Sequence, residues 1–329
     1  MLTTRMVKDW ALRCGADAVG IGAMERFEGA PLQFDPRAIF PEAQTIIGLA
    51  FRVHRGLYRG IEEGTWFAGL PSMGYANIND VFAPMTMRNL ASLIEDAGYE
   101  AVPYQNTSVR LGTGAGRAVA EGLPRPDVFI HFRIAAYICG MGEIGWSKVF
   151  LTPQFGPRQR FAFILTDAPL KPDPVMEPGT LCDQCKLCVR DCPGGAISKD
   201  EAVEIEVAGH QIAWGKLDED KCACVYQTGS PEYGPFMDEE TAAKVQHFID
   251  MPPGQERSEM IAYSGGPWGL GRSTPYSKNA WESFHHPGTV CGARGCQRAC
   301  FIHLEEQGKL TNKFHRPFRI RKPWKLSRA

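Results

Sequence analysis

The segment Cys182-x2-Cys185-x2-Cys188-x3-Cys192-Pro193 constrains this chain more than any other feature. Four cysteines at that spacing, closed by proline, form the run that wraps a cubane iron–sulfur cluster: three thiolates bind one cluster and the fourth reaches a second. Zinc sites normally draw on separated pairs, so the run favours iron. Two cubanes need eight ligands. Cys291-x4-Cys296-x3-Cys300 supplies three of the missing four, and Cys222 or Cys224 supplies the last. By the crossover rule, Cys182, Cys185, Cys188 and Cys300 hold one [4Fe-4S] cluster, and Cys192, Cys291, Cys296 and one of the 222/224 pair hold the other. The spacing departs from the usual two-cluster repeat before Cys296, where x4 replaces x2, and at Phe301, where proline is usual. Cys14 and Cys139 stand apart and read as ordinary buried thiols.

Nine of the 11 cysteines follow Leu181, so the first half must do something else. A bare two-cluster carrier needs on the order of 60–80 residues, far fewer than the 329 present. The proline-rich stretch Pro169–Gly179 forbids helix and central strand and marks a boundary. The expected organisation is a catalytic or binding domain over 1–175, a cluster domain over 176–308 and a basic tail over 309–329. Within the cluster domain, the glycine- and proline-rich connection 225–290, with Trp268, Trp281, His285 and His286, reads as a packed lid. With 44% apolar residues the chain has material for a real core, and 36 basic against 37 acidic residues exclude a nucleic-acid coat or a membrane-surface protein. No stretch approaches the ~18 apolar residues of a membrane span. The opening residues carry neither a twin arginine nor a signal block, which places the chain in the cytoplasm, where cysteines serve metals before disulfides.

Periodicity predicts a helix over residues 3–14 stopped by Gly15, strands over 18–21, 45–53 and 99–104, and a helix from Asp80 to about Ala97 with Pro84 in its first turns. A further helix is expected over 130–139, then strands over 148–152 and 159–166. Mixed hairpin and crossover connections make this an α+β layer, not a doubly wound sheet.

Between the last helix and strands lie Gly140-Met-Gly-Glu-Ile-Gly145, Thr152-Pro-Gln-Phe-Gly156-Pro-Arg158 and Leu165-Thr-Asp-Ala-Pro-Leu170. Glycines bring backbone N–H groups close to something bulky, and Arg158 and Arg160 suit a phosphate or carboxylate on it. The same pattern also describes a tight structural turn. Followed by the cysteine run, these segments resemble the shared core of the cobalamin-dependent reductive dehalogenases and epoxyqueuosine reductases, densely from about Arg133 to Ile197 and more loosely beyond.

That resemblance implies a nitroreductase-like cobalamin-binding domain with no protein ligand beneath the cobalt, followed by a ferredoxin-like domain whose two clusters reduce the corrinoid. Carried over by position, Gly140, Met141, Gly142, Trp146, Ser147, Phe150, Thr152, Phe155, Gly156 and Arg158 would line the corrinoid. Trp146 stands where the family usually has arginine or lysine, and an indole offers one donor and no charge. Neither the tyrosine that donates a proton in dehalogenases nor the aspartate of epoxyqueuosine reduction has a clear match. Reduction needs a proton donor. Among Tyr75, Asp80, Tyr104, His131 and Tyr137, Tyr104 ranks high for ending a strand and His131 for preceding the glycine turn. The expected activity is corrinoid-dependent reduction of a small organic substrate, organohalides included, fed by ferredoxin or flavodoxin. The alternatives are reduction of a modified base in tRNA and an electron-transfer protein serving a corrinoid or flavin partner. The tail Lys309–Ala329, with eight Lys/Arg and no acid, suits an acidic partner, tRNA or an electron donor.

Overall fold

The computed structural model describes residues 2–104, 116–235, 237–254, 290–321 and 325–326. Its centre is an antiparallel sheet of β1 (Ala18–Ala23), β2 (Thr45–Arg52), β3 (Ala101–Tyr104) and β6 (Gln159–Thr166), ordered β1-β2-β6-β3. Strand β2 is apolar almost throughout because both its faces are covered. Ile47, Leu49 and Phe51 pack against Val7 and Ala11 of α1 (Thr4–Cys14) and Met87, Leu90 and Ile94 of α4 (Ala83–Asp96). Ile46 and Ala50, on the opposite face, meet Ala135, Ala136 and Ile138 of α5 (Phe132–Ile138). The period-2 alternation of a strand thus sorts one apolar run into two cores.

The ends of α1 are as the sequence reads: Thr3 accepts from the Met6 N–H, and Gly15 closes the helix in the left-handed region. The helix predicted from Asp80 starts earlier. From α3 (Gly69–Pro71) the chain runs through π-helical turns at Ser72–Ala76 and Ile78–Phe82 directly into α4. Pro84 therefore sits inside a continuous helical run, just past a widened turn that absorbs its missing N–H. Packed beside this run is α2 (Leu57–Glu63).

Strands β4 (Glu143–Ile144) and β5 (Phe150–Leu151) form a short ribbon. After the cysteine run, with α6 (Leu187–Arg190), comes a hairpin that sequence reading did not find: β7 (Ile197–Val207) and β8 (His210–Leu217). Its turn places Ala208 and Gly209 both at positive φ, the primed geometry that matches strand twist. Ile205, Val207, Ile212 and Trp214 of this hairpin join the core beneath α5. The proline-rich boundary is tied down as well. Asp173 accepts from the Ile21 N–H at 2.8 Å and pairs with Lys8 at 2.6 Å.

Helices α7 (Glu219–Thr228) and α8 (Glu239–Asp250) pack on one another. Residues 255–289, which hold Trp268, Trp281, His285 and His286, lie outside the described residues. Helices α9 (Val290–Arg294) and α10 (Cys296–Glu306) bring Ala293 and Phe301 against Tyr58 of α2. Over its described residues the basic tail runs along the surface: Leu310 and Phe318 are buried, and Arg55 lies 3.5 Å above the Phe314 ring. The apolar residues between its cations dock it, a feature that a charge count conceals.

Candidate functional site

The nine cysteines after Leu181 separate by neighbourhood. Burial pushes the Cys188 thiol up to about 11, with Cys182 and Cys185 contributing next. Cys300 is raised by burial and then by Cys182, Cys188 and Cys185. These four form one group. Burial, then Cys192, lifts Cys222 to about 11, and Cys291 is raised by burial and then by Cys296, Cys222 and Cys192. Those four form the second. Cys224 is buried in a small core with Met237, Val245 and Phe248. Positions two apart on α7 point to different faces, so one faces the thiols and the other faces α8. Thiols crowded and buried in this way are poor acids by themselves, and metal charge is what turns such a set into thiolates. The two foursomes fit two cubanes.

The first group is anchored by Glu143 from the glycine motif. Its buried carboxylate accepts from the backbone N–H groups of Gly179 at 2.6 Å, Leu181, and Cys182 at 2.7 Å. Sequence reading missed this role, because nothing in spacing links a carboxylate to a loop 36 residues on. The Trp146 N–H donates to Cys182 Sγ at 3.3 Å and the Ala196 N–H to Cys192 Sγ at 3.4 Å. Cys185, the exposed member, sits beside Asp183, which holds His303 and Gln307 at 2.8 Å. Burial opposes ionisation of Asp183, but these hydrogen bonds prevail and bring its carboxyl to about 2.

The second group lies beside Tyr75, Tyr226 and Arg160. Burial and then Tyr75 raise the Tyr226 hydroxyl, Arg160 opposes them, and Cys291 and Cys222 add to the rise. Burial also raises Tyr75, with Arg160, Gln297, Cys291 and Cys296 as its other neighbours. The Tyr75 and Tyr226 rings lie 6.4 Å apart, Arg160 stands 4.8 Å from the Tyr75 ring, and Arg160 Nε donates to Asn79 at 3.1 Å. Arg133 retains accessible surface, yet its guanidinium is lowered by desolvation and then by Arg160.

The residues assigned to the corrinoid behave differently. The bend is filled by its own chain: a β-carbon on Gly142, whose φ is +153°, would lie 1.9 Å from the Leu151 carbonyl oxygen, and one on Gly140 2.3 Å from that of Pro174. Met141, Trp146, Phe150, Thr152, Phe155 and Arg158 are buried, and Ser147 is half-buried. The Thr152 hydroxyl accepts from the Phe155 N–H, and Gly156 pairs with Thr152 as an isolated bridge. Arg158 is fully enclosed, donating to the Val53 carbonyl at 3.2 Å, 3.9 Å from Glu305, with Phe301 and Phe314 about its guanidinium. Close backbone approach is the purpose of these glycines, and the approach is to protein. As a cradle for a bulky group the bend does not fit.

The catalytic candidates are similarly placed. The Tyr104 hydroxyl donates to the Val128 carbonyl and accepts from the Ile130 N–H, both at 3.1 Å, and so pins that loop to β3. His131 caps α5 through Nδ1 and lines an 890 Å³ cavity with Phe34, Ile134, Lys148 and Trp214. Burial, then Arg133 and Lys148, lowers its pKa to about 4. Tyr137 donates to Met176 from the far side of the sheet, and burial raises it to about 12. Asp80 is exposed. Of the five, Tyr75 is the one beside the second thiol group, with Cys291 and Cys296 among its neighbours.

No family model matches the chain. Among curated proteins it is similar to the tetrachloroethene reductive dehalogenase of Sulfurospirillum multivorans, 30% identical over 201 residues, which is 58% of this chain and 34% of the relative. The corresponding enzyme of Dehalobacter restrictus is 38% identical over 103 residues, 28% of this chain and 18% of the relative. Solved structures that superpose include a catabolic reductive dehalogenase (TM-score 0.46, 21% identity, 81% of this chain and 37% of that one) and the epoxyqueuosine reductase of Streptococcus thermophilus (0.48, 14%, 91% and 79%). The relatives are oxidoreductases. The chain's similarity is to the reductive dehalogenases, the family its own motifs resemble, and it spans about a third or less of the length of these curated relatives.

Proposed function

We propose that the chain is a corrinoid-dependent iron–sulfur reductase acting on a small organic substrate, with organohalides the leading class. The observation that carries this reading is the sorting of eight cysteines into two foursomes, with Tyr75, Tyr226 and Arg160 packed beside the second. Cys182, Cys185, Cys188 and Cys300 would hold one [4Fe-4S] cluster, and Cys192, Cys222, Cys291 and Cys296 the other, in a ferredoxin-like part following a nitroreductase-like one. The exposed Cys185 edge is where a small redox protein such as ferredoxin or flavodoxin would deliver electrons.

A corrinoid held by residues beside the second thiol group, and not by the Gly140–Gly156 bend, would supply a strongly reducing cobalt. The chain's own groups do the rest. Arg133 and Arg160 attract and orient an anionic or polarised substrate. The Tyr226 hydroxyl is kept protonated by burial, despite Arg160, and acts as proton donor. Tyr75, hydrogen-bonded to Gln297 at 3.0 Å, positions it.

Metal analysis of the anaerobically reconstituted protein tests this reading. Two cubanes and one corrinoid give about eight irons and one cobalt per chain. Eight irons with no cobalt uptake would demote the protein to an electron carrier, and tight, salt-sensitive tRNA binding would move its substrate class to a modified base. Tyr226→Phe should abolish turnover while iron and cobalt content stay at the wild-type level.

A further inference from the structure

Trp146 sits where nothing in the proposed reaction requires an indole. It is 8% exposed and packs with Cys188 and Ile197, against the partly buried Cys182, Cys192 and Cys296. Its indole N–H donates to the Ser198 carbonyl at 2.9 Å, and its own carbonyl accepts from the Gly215 N–H at 2.8 Å. The β7–β8 hairpin is cut to receive it, since a β-carbon on Gly215 would lie 2.4 Å from the indole nitrogen. On its other side is Lys186, with Nζ 2.6 Å from the ring centroid. The indole therefore fills the apolar wall shared by the first thiol group and the edge of the second.

We propose that Trp146 sets the reduction potential of the cluster held by Cys182, Cys185, Cys188 and Cys300, keeping it low by excluding water. The inference rests on the reading of these cysteines as cubane ligands. Reduction adds one electron, and hence one negative charge, to the cluster, while no bond forms or breaks. Water stabilises the more highly charged reduced state, so an apolar wall disfavours it and lowers the potential. Hydrogen bonds to sulfur act in the opposite sense, but the one to Cys182 comes from the Trp146 backbone and survives any side-chain change. Substituting the side chain thus isolates the wall.

The experiment is a redox titration followed by electron paramagnetic resonance, on full-length reconstituted protein reduced in steps with dithionite. Trp146→Phe should titrate like the wild type. In Trp146→Ala one midpoint should move to less negative potential, and in Trp146→Arg it should move further, since a cation also favours the reduced state. Trp146→Leu preserves apolar packing if the alanine variant fails to fold, and it should move the midpoint in the same direction by less. Wild-type iron content with an unmoved midpoint in the alanine, arginine or leucine variant would overturn the proposal. Absence of iron and of a cubane signal in the wild type would instead remove the reading beneath it.

Discussion

Glu62 illustrates how a single residue holds the two halves of the chain together. It lies on α2, 1% exposed, and receives Arg298 at 2.6 and 2.8 Å, Arg294 at 3.4 Å and the Arg321 backbone N–H at 2.6 Å. Burial alone would raise its carboxyl, but the hydrogen bonds from Arg298 and the Arg321 backbone, with the two arginine charges, hold it below the usual range. Replacing it by glutamine takes the shared carboxylate away from two largely buried cations and should cost about 3–5 kcal/mol in denaturant unfolding. A second prediction concerns His131. Because its folded pKa is about 4, against 6.5 in the open chain, the unfolded state binds a proton that the folded state refuses as pH falls through this window. The wild type should lose up to about 3 kcal/mol of stability from this group between pH 6.5 and 4. His131→Asn preserves a helix cap and should flatten that part of the acid limb, measured as unfolding free energy against pH. At Cys222, alanine should remove a cubane and about half the bound iron. Cys224→Ala should leave iron content unchanged.

Individual elements differ in how openly they announce themselves. Helix α1, with Thr3 and Gly15 at its ends, and strand β6, a continuous apolar run bounded at Gln159 and Thr166, are local: capping and a short apolar run suffice to place them. The β7–β8 hairpin was missed because β7 is mostly polar and exposed, and only its inward residues contact α5. The run from Gly69 into α4 was started too late because Pro84 reads as a helix's first turn unless the preceding π turn is known. The Gly140–Gly156 bend shows the opposite limit. Glycine spacing identified close approach correctly, but a pattern of small residues cannot say whether the approaching surface is ligand or protein. At Gly142 it is the Leu151 carbonyl. Gly142→Ala must displace that backbone and should destabilise the fold by several kcal/mol, with loss of iron following, since the adjacent Glu143 anchors Cys182. Calorimetry and iron analysis of the same sample check both effects.

Across the whole molecule, the central sheet is covered on one face by α1 and α4 and on the other by α5 and the hairpin. The cysteine-bearing helices α9 and α10 close against α2, bringing Cys291 and Cys296 toward Tyr75 and Arg160. Among the described residues no helix is long and apolar enough to cross a membrane. The cysteine run and the mixed helix-and-sheet character were legible in the linear chain, because ligand spacing and side-chain periodicity are properties of short segments. The burial of Cys224 in a small core with Met237, the Glu143 anchor and the packing of Trp146 against Cys188 came only with tertiary structure. Each depends on which face of one element meets another distant in sequence, and no local pattern encodes that meeting.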